Sequence, residues 1–234
     1  RFSEAKMMSV LIPVYNEAEI LEEKINRLVD YLDGLDDEYE IVVCSNGSTD
    51  STNTLGKKLE EEHGGKVRFY TISQKGVGHA FKKMVEEASY DKLVSVDADL
   101  TTELDFISRC GELLGDYDIV LGSKRMGEQE RGLHRIAISK GYIFLVRLLL
   151  GLNYGDYSIG AKGYLKEKIR PYLEGIDAGS SYVVELVHHV EQNGNVVEVP
   201  VVCNDQRGSK FNLFHEVVYR FKNLASFFIK SRMR

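Results

Sequence analysis

Lys92-Leu93-Val94-Ser95-Val96-Asp97-Ala98-Asp99-Leu100-Thr101 joins a short β-branched run to two carboxylates one residue apart. The run 92–96 is too short for a helix and apolar enough for a strand covered on both faces, as strands of parallel sheets are. Three comparable runs precede it, Ser9–Pro13, Glu40–Cys44 and Val67–Ile72. Each is followed by about 10 to 16 residues whose apolar positions recur near every 3.6. In Ala18–Leu32, for example, Ile20, Leu21, Ile25, Leu28 and Leu32 share one face, and Ser51–Glu62 repeats the pattern. Strand–helix alternation of this kind predicts an α/β fold: a Rossmann-like, mostly parallel central sheet with helices on both faces.

Downstream, the same reading gives a strand at Ile119–Ser123, a helix over His134–Leu150 and extended chain near Tyr157–Leu165. A helix over Tyr182–Gln192, a strand at Val196–Val201 and a last helix over Leu213–Ile229 follow. There is no internal repeat, and three prolines in 234 residues leave no linker, so 7–234 is expected to form a single domain. The charge balance, 30 Lys and Arg against 36 Asp and Glu, gives a net −6 and argues against nucleic acid as a partner. Cys44, Cys110 and Cys203 are odd in number and have no C-x-x-C spacing; they are expected to be reduced thiols in the cytoplasm. No run of about 18 uncharged apolar residues exists to span a bilayer. Residues 1–6 lack an apolar core and read as a remnant ahead of Met7 or Met8, not a signal peptide.

In open α/β sheets ligands bind beyond the carboxyl ends of the strands. The polar signatures fall there four times: Pro13-Val14-Tyr15-Asn16-Glu17, Ser45-Asn46-Gly47-Ser48-Thr49-Asp50, Gln74-Lys75-Gly76-Val77-Gly78 and Asp97-Ala98-Asp99. Taken singly, the first two are ordinary cap and turn chemistry, and Gly76-x-Gly78 is neither a dinucleotide fingerprint nor a P-loop. Asp97 and Asp99 alternate, so on a strand end both face the cleft while Ala98 faces the core. Like charges so close repel unless a cation or a shared proton intervenes, and carboxylate oxygens suit Mg²⁺ or Mn²⁺ completed by phosphates and water. Asp97 and Asp99 are therefore the expected metal ligands.

Lys124, Arg125, Arg135 and Lys140 cluster on and after the strand at 119–123, and Arg207-Gly208-Ser209-Lys210 precedes the last helix. From Val217 onward Arg220, Lys222, Lys230, Arg232 and Arg234 meet no acidic residue, while Leu213, Val217, Phe221, Leu224 and Phe228 form an apolar stripe. A basic amphipathic end of this kind lies in an anionic membrane interface or packs on the core. The six histidines show no ligand spacing, and no nucleophile elbow is present.

With these marks the sequence resembles the inverting glycosyltransferase family two, of GT-A fold, and within it the polyprenyl-phosphate (dolichyl-phosphate) mannose and glucose synthases. The resemblance rests on the four rim motifs in order, then Gly122-Ser123-Lys124-Arg125, Ser139-Lys140-Gly141, Asp156 with Gly160-Ala161-Lys162, and Glu198-Val199-Pro200-Val201 ahead of Gly208-Ser209-Lys210. It implies a nucleotide-sugar half over 7–100 and an acceptor half over 101–234, ending in the amphipathic helix. Pro13, Tyr15, Glu17 and Asn46 would line the base and ribose pocket, with Lys75, Gly76 and Asp97 also on the nucleotide. Asp99 would hold the Mg²⁺ or Mn²⁺ on the donor diphosphate. Arg125, Arg135, Lys140, Ser209 and Lys210 would receive the acceptor phosphate, Arg125 also serving catalysis. Three departures stand out. Ser45 and Asn46 occupy the place of two acids, Thr101 that of a Gln in many mannose synthases, and Lys124-Arg125 that of a single Arg.

The implied reaction is metal-dependent transfer of a hexose, from GDP-mannose or UDP-glucose, to a polyprenyl or dolichyl phosphate at the cytoplasmic face of a membrane. Negative charge grows on the leaving phosphate of an oxocarbenium-like transition state, which a divalent ion neutralises. An acceptor phosphate monoester, with a second pKa near ~6, needs no base; a hydroxyl acceptor would need one, for which Asp156 is the candidate. Two rivals remain. Asp97-Ala98-Asp99-Leu100-Thr101 also fits the D-x-D-x-T nucleophile motif of haloacid-dehalogenase-type phosphatases, although three βα units precede it here. A non-catalytic nucleotide-sugar-binding protein of the same fold is the other.

Overall fold

The computed structural model describes residues 7–35, 37–124, 133–203 and 213–233, without the side chains of 133–136 and 213–216. Strand and helix alternate as β1 (Met7–Val14), α1 (Leu21–Asp33), β2 (Glu38–Asn46), α2 (Thr52–Glu62), β3 (Val67–Ile72), α3 (Val77–Glu87), β4 (Lys92–Ser95) and α4 (Asp105–Leu113). Then come β5 (Ile119–Ser123), α5 (Leu133–Leu150), β6 (Lys162–Leu165), α6 (Lys166–Ile169), a 3-10 turn over Arg170–Gly175, α7 (Tyr182–Glu191), β7 (Val196–Pro200) and α8 (Leu213–Arg232).

The seven strands form one sheet in the order β3-β2-β1-β4-β6-β5-β7. The β1–β2, β2–β3, β1–β4 and β5–β7 pairs are parallel. Period-two alternation sorts the core onto the two faces. Met8, Val10, Ile12 and Val14 of β1 join Leu21, Ile25 and Leu28 of α1, Leu59 of α2 and Phe106 of α4. Leu11, Val42 and Leu121 point the other way, onto Phe81 and Met84 of α3, Val146 of α5, and Leu186 and Val187 of α7. Helices thus cover both faces, as the sequence pattern predicts.

β6 departs from the expected pattern. It runs antiparallel to both neighbours, pairing Ser95 with Lys162 on one side and Leu121 with Lys162 on the other. The extended stretch near 157–165 is strand only over its last four residues. Because β6 runs backwards, its beginning lies at the carboxyl ends of β4 and β5. The loop leading into it, with Asp156 and Gly160, is thereby delivered to the same rim as Asp97.

Candidate active site

The two aspartates reach the rim by a turn, which corrects the strand-end geometry expected of them. β4 ends at Ser95, and the Leu100 amide then donates back to the Asp97 carbonyl at 3.0 Å. Leu100 takes φ +51°, a left-handed conformation costly for a branched side chain. Ala98 still packs against the core, as expected. Asp97 Oδ2 accepts the Gly160 amide at 2.9 Å, and Asp99 Oδ1 accepts the Thr101 amide at 3.2 Å. Burial pushes the Asp97 carboxyl up, and the neighbouring Asp99 charge adds to this; the Gly160 amide, Lys124 and Lys162 oppose it without reversing it. A pair so placed is relieved by a cation.

Two lysines lie within reach of these acids. Lys162 is fully buried, its Nζ donating to the Gly122 and Ala161 carbonyls at 3.1 and 3.3 Å. Desolvation brings its ammonium down to about 8, while Asp156 and Asp97 pull the other way. Lys124, 7% exposed, has no hydrogen bond or ion pair among the described residues, yet its charge acts on Asp97 and Asp156. Lys124 shares with Arg125 the place of a single family Arg, whereas Lys162 has no role assigned from sequence. The signal for Lys162 is a lysine in an otherwise apolar or small run, Gly160-Ala161-Lys162-Gly163-Tyr164.

Asp156 is buried, and its Oδ1 accepts Ser158 N and Oγ, both at 2.8 Å, and Ile159 N at 3.3 Å. Burial raises its carboxyl, but Lys162, Lys124 and the Ser158 hydrogen bonds outweigh that and hold it below the ordinary range. A carboxylate so stabilised is a weak base. At the end of β5 the buried Ser123 Oγ has no partner among the described residues.

On the other side of the rim the ends of β1, β2 and β3 are laced together. Asn46 is buried and uses both ends of its amide, donating to Val14 O at 2.9 Å and accepting Gly76 N at 3.2 Å. Ser45 Oγ meets Ser48 Oγ at 2.8 Å, Ser48 Oγ accepts Asn16 N, and Thr52 Oγ1 accepts Glu17 N. Asn16, at φ +52°, tolerates the left-handed region better than most residues. The Lys75 ammonium lies 4.1 Å from the centroid of the Tyr15 ring, so the first and third rim motifs meet through a cation–π contact. Gly76 and Gly78 are needed for the approach of residues 177 and 178. A Cβ on Gly78 would lie 2.0 Å from Asp177 O, and one on Gly76 2.4 Å from Ala178 O.

Of the basic residues expected at the acceptor, Lys140 is exposed on α5. Arg125, Ser209 and Lys210 lie outside the described residues, as does the side chain of Arg135. Among the described residues no group of three or more His, Cys, Asp or Glu is arranged for a metal. The pair Asp97 and Asp99 suits an ion that takes one or two carboxylates and completes its shell with phosphate and water.

Residues 9–173 match the model of the glycosyl transferase family 2. The dolichol-phosphate mannosyltransferase of Pyrococcus furiosus is 37% identical over 92% of this chain and 61% of its own length. Glycosyltransferase AglD of Haloferax volcanii is 26% identical over 90% of this chain and 35% of its own. An undecaprenyl-phosphate 4-deoxy-4-formamido-L-arabinose transferase of Sodalis glossinidius is 28% identical over 88% and 63%. This chain therefore spans less than two thirds of the length of each.

Among solved structures, mannosyl-3-phosphoglycerate synthase from Rubrobacter xylanophilus superposes with TM-score 0.74 at 16% identity, covering 98% of this chain and 75% of that one. Glucosyl-3-phosphoglycerate synthase from Mycobacterium tuberculosis, in complex with Mn²⁺, UDP and phosphoglyceric acid, gives 0.69 at 17%, covering 97% and 78%. The architecture is thus that of the GT-A glycosyltransferases. The matched span includes both aspartates and every strand through β6, which sets the phosphatase reading of Asp97 aside. With the rim motifs, the sheet order and the matched family in agreement, the chain belongs to glycosyl transferase family 2.

Proposed function

We propose that this chain transfers a hexose from a nucleotide sugar, GDP-mannose or UDP-glucose, to a polyprenyl or dolichyl phosphate, with a divalent ion at Asp97 and Asp99. The observation that carries this reading is the charge arrangement of the rim: two adjacent carboxylates tied by the Gly160 and Thr101 amides, with buried Lys124 and Lys162 behind them. Mg²⁺ or Mn²⁺ bound there would supply positive charge to the leaving diphosphate. Tyr15 and Lys75, in contact, would face the nucleotide together with Pro13 and Glu17, while Asn46 holds the Gly76 amide in place. Lys124 would meet phosphate oxygens, and Arg125, Arg135, Lys140, Ser209 and Lys210 remain the proposed acceptor contacts.

Asp156 bears on the acceptor class. Held below the ordinary carboxylate range, it is poorly suited to take a proton from a hydroxyl. A phosphate monoester, already ionised at neutral pH, attacks the sugar C1 without a base as the bond from C1 to the leaving diphosphate oxygen breaks. The names of the Pyrococcus and Sodalis relatives, which specify lipid phosphates, agree with that choice. A lipid acceptor also places the protein at a membrane surface, though no helix among the described residues is long and apolar enough to cross one.

The test is a thermal-shift screen of GDP- and UDP-sugars with and without Mn²⁺, followed by assay with a polyprenyl phosphate. A ligand that binds only the folded state raises its melting temperature. One nucleotide is expected to stabilise the protein only when metal is present. Asp99→Ala is expected to abolish both that stabilisation and turnover, and undiminished turnover in the variant would remove Asp99 from the mechanism.

A further inference from the structure

We infer that Asp177 is a positioning residue that ties α8 to the loop carrying Lys75 and Gly76, so that the seating of the C-terminal helix sets how firmly the nucleotide side of the site is held. The donor half of this claim rests on the function proposed above; the mechanical half rests on geometry alone.

The tie is continuous. On the α8 side, Asp177 Oδ1 accepts the Tyr219 hydroxyl at 2.6 Å and Asn223 Nδ2 at 2.9 Å. Its Oδ2 accepts the amides of Gly179 and Ser181, both at 3.0 Å, which fixes the shape of the 177–181 turn. The Asp177 amide donates to Glu185 Oε2 on α7 at 2.7 Å, and Arg220 Nε of α8 donates to Ser180 Oγ at 3.1 Å. The next residue makes the other half of the link: Ala178 O accepts Gly78 N at 2.8 Å and His79 N at 3.3 Å, the opening amides of α3. One peptide unit therefore separates the anchor on α8 from the anchor on the nucleotide-side loop.

Three glycines keep this path clear. Besides Gly76 and Gly78, Gly179 has no room for a side chain, since its Cβ would lie 2.4 Å from the Tyr219 hydroxyl. Besides this link the loop is held by the Lys75–Tyr15 contact and by the start of α3. Ser73, Gln74 and Lys75 are exposed, and the Gly76 amide bonded to Asn46 is a further fixed point. Removing the α8 half of the tie should therefore loosen 73–80 while leaving the β1–β2 core as it is. A purely local role for Asp177, stabilising its own turn, predicts no such effect at a distance.

Amide exchange on Tyr219→Phe and on Tyr219→Phe/Asn223→Ala, both without ligand, separates the two. The single variant guards against a double variant that fails to fold. We expect exchange in 73–80 to quicken by about tenfold in the double variant, as for a lost hydrogen bond to a charged acceptor, with β1 and β2 unchanged. Unaltered exchange in 73–80, with 177–181 accelerated, would overturn the tie. In the transfer assay the KM for the nucleotide sugar should rise by about as much while kcat stays within about twofold, the pattern of lost ground-state binding. A drop in kcat with KM unchanged would overturn the donor claim. A wild type that binds no nucleotide sugar would defeat the donor reading and with it this second claim, while the exchange result would decide the first by itself.

Discussion

Gly160 lies against Asp97 at the rim, and a single atom tests the contact. A Cβ on Gly160 would lie 2.3 Å from Asp97 Oδ1, so Gly160→Ala must displace the carboxylate or the 156–160 loop. Altering a group that hydrogen-bonds to and orients a metal ligand costs roughly 10–100-fold in metal affinity. A loss in that range is expected in a Mn²⁺ titration followed by paramagnetic resonance, with the fold intact by circular dichroism. That Asp97 and Asp99 reach the rim was legible from the sequence, because D-x-D after an apolar run marks a strand's carboxyl end without coordinates. Lys162 was not, because a lysine's burial depends on what packs around it. Its surroundings, the Gly122 and Ala161 carbonyls at Nζ and the charges of Asp156 and Asp97, come mostly from parts of the chain remote in sequence.

Direction was the hidden variable among the elements. Periodicity distinguishes strand from helix and marks which residues face the core, so β1 to β5, β7 and the long helices were legible to within a few residues. It carries no information on which way a strand runs, and the reversal of β6 could not be read from it. α8 shows a second limit. Its stripe suited a membrane or the core equally well, and the structure buries Leu224 and sets Phe221 against Tyr142 of α5 at 5.6 Å between ring centroids.

The seat of α8 also carries a pH dependence. Burial first, and then the Asp177 charge, raise the Glu185 carboxyl from 4.5 to about 7, against the Asp177 amide and Lys230. Between these two values the folded state binds the proton more tightly than the unfolded state. The contribution is thus full below about 4.5 and is lost as pH rises through about 7. Glu185→Gln is expected to raise the melting temperature relative to wild type at pH 8 and to leave it little changed at pH 5. An equal effect at both pH values would exclude titration of Glu185 as the cause.

At the scale of the molecule, a net charge of −6 is unevenly spread. α5 contains no acidic residue, nor does α8 beyond Glu216, while Phe144, Leu148 and Ile229 are about three-fifths exposed or more on these two helices. Apolar side chains on a basic surface suit anionic lipid, through burial of apolar area and through attraction of about 1 kcal/mol per Lys or Arg near the surface. Flotation with phosphatidylserine-containing liposomes is expected, weakening as salt rises. Failure to float at low salt would leave these helices without a role at a bilayer. Arg125, Ser209 and Lys210, proposed as acceptor contacts, lie outside the described residues. The backward course of β6 has one more consequence. The 151–161 segment enters the sheet from the rim, where Ala161 O accepts Gly122 N at 3.0 Å, Gly160 N donates to Asp97 and Gly155 N to Glu198, so a segment of another sequence fits only if it keeps these three backbone bonds. The rim loop and the sheet are in this way one mechanical unit, joined through the loop's main-chain atoms.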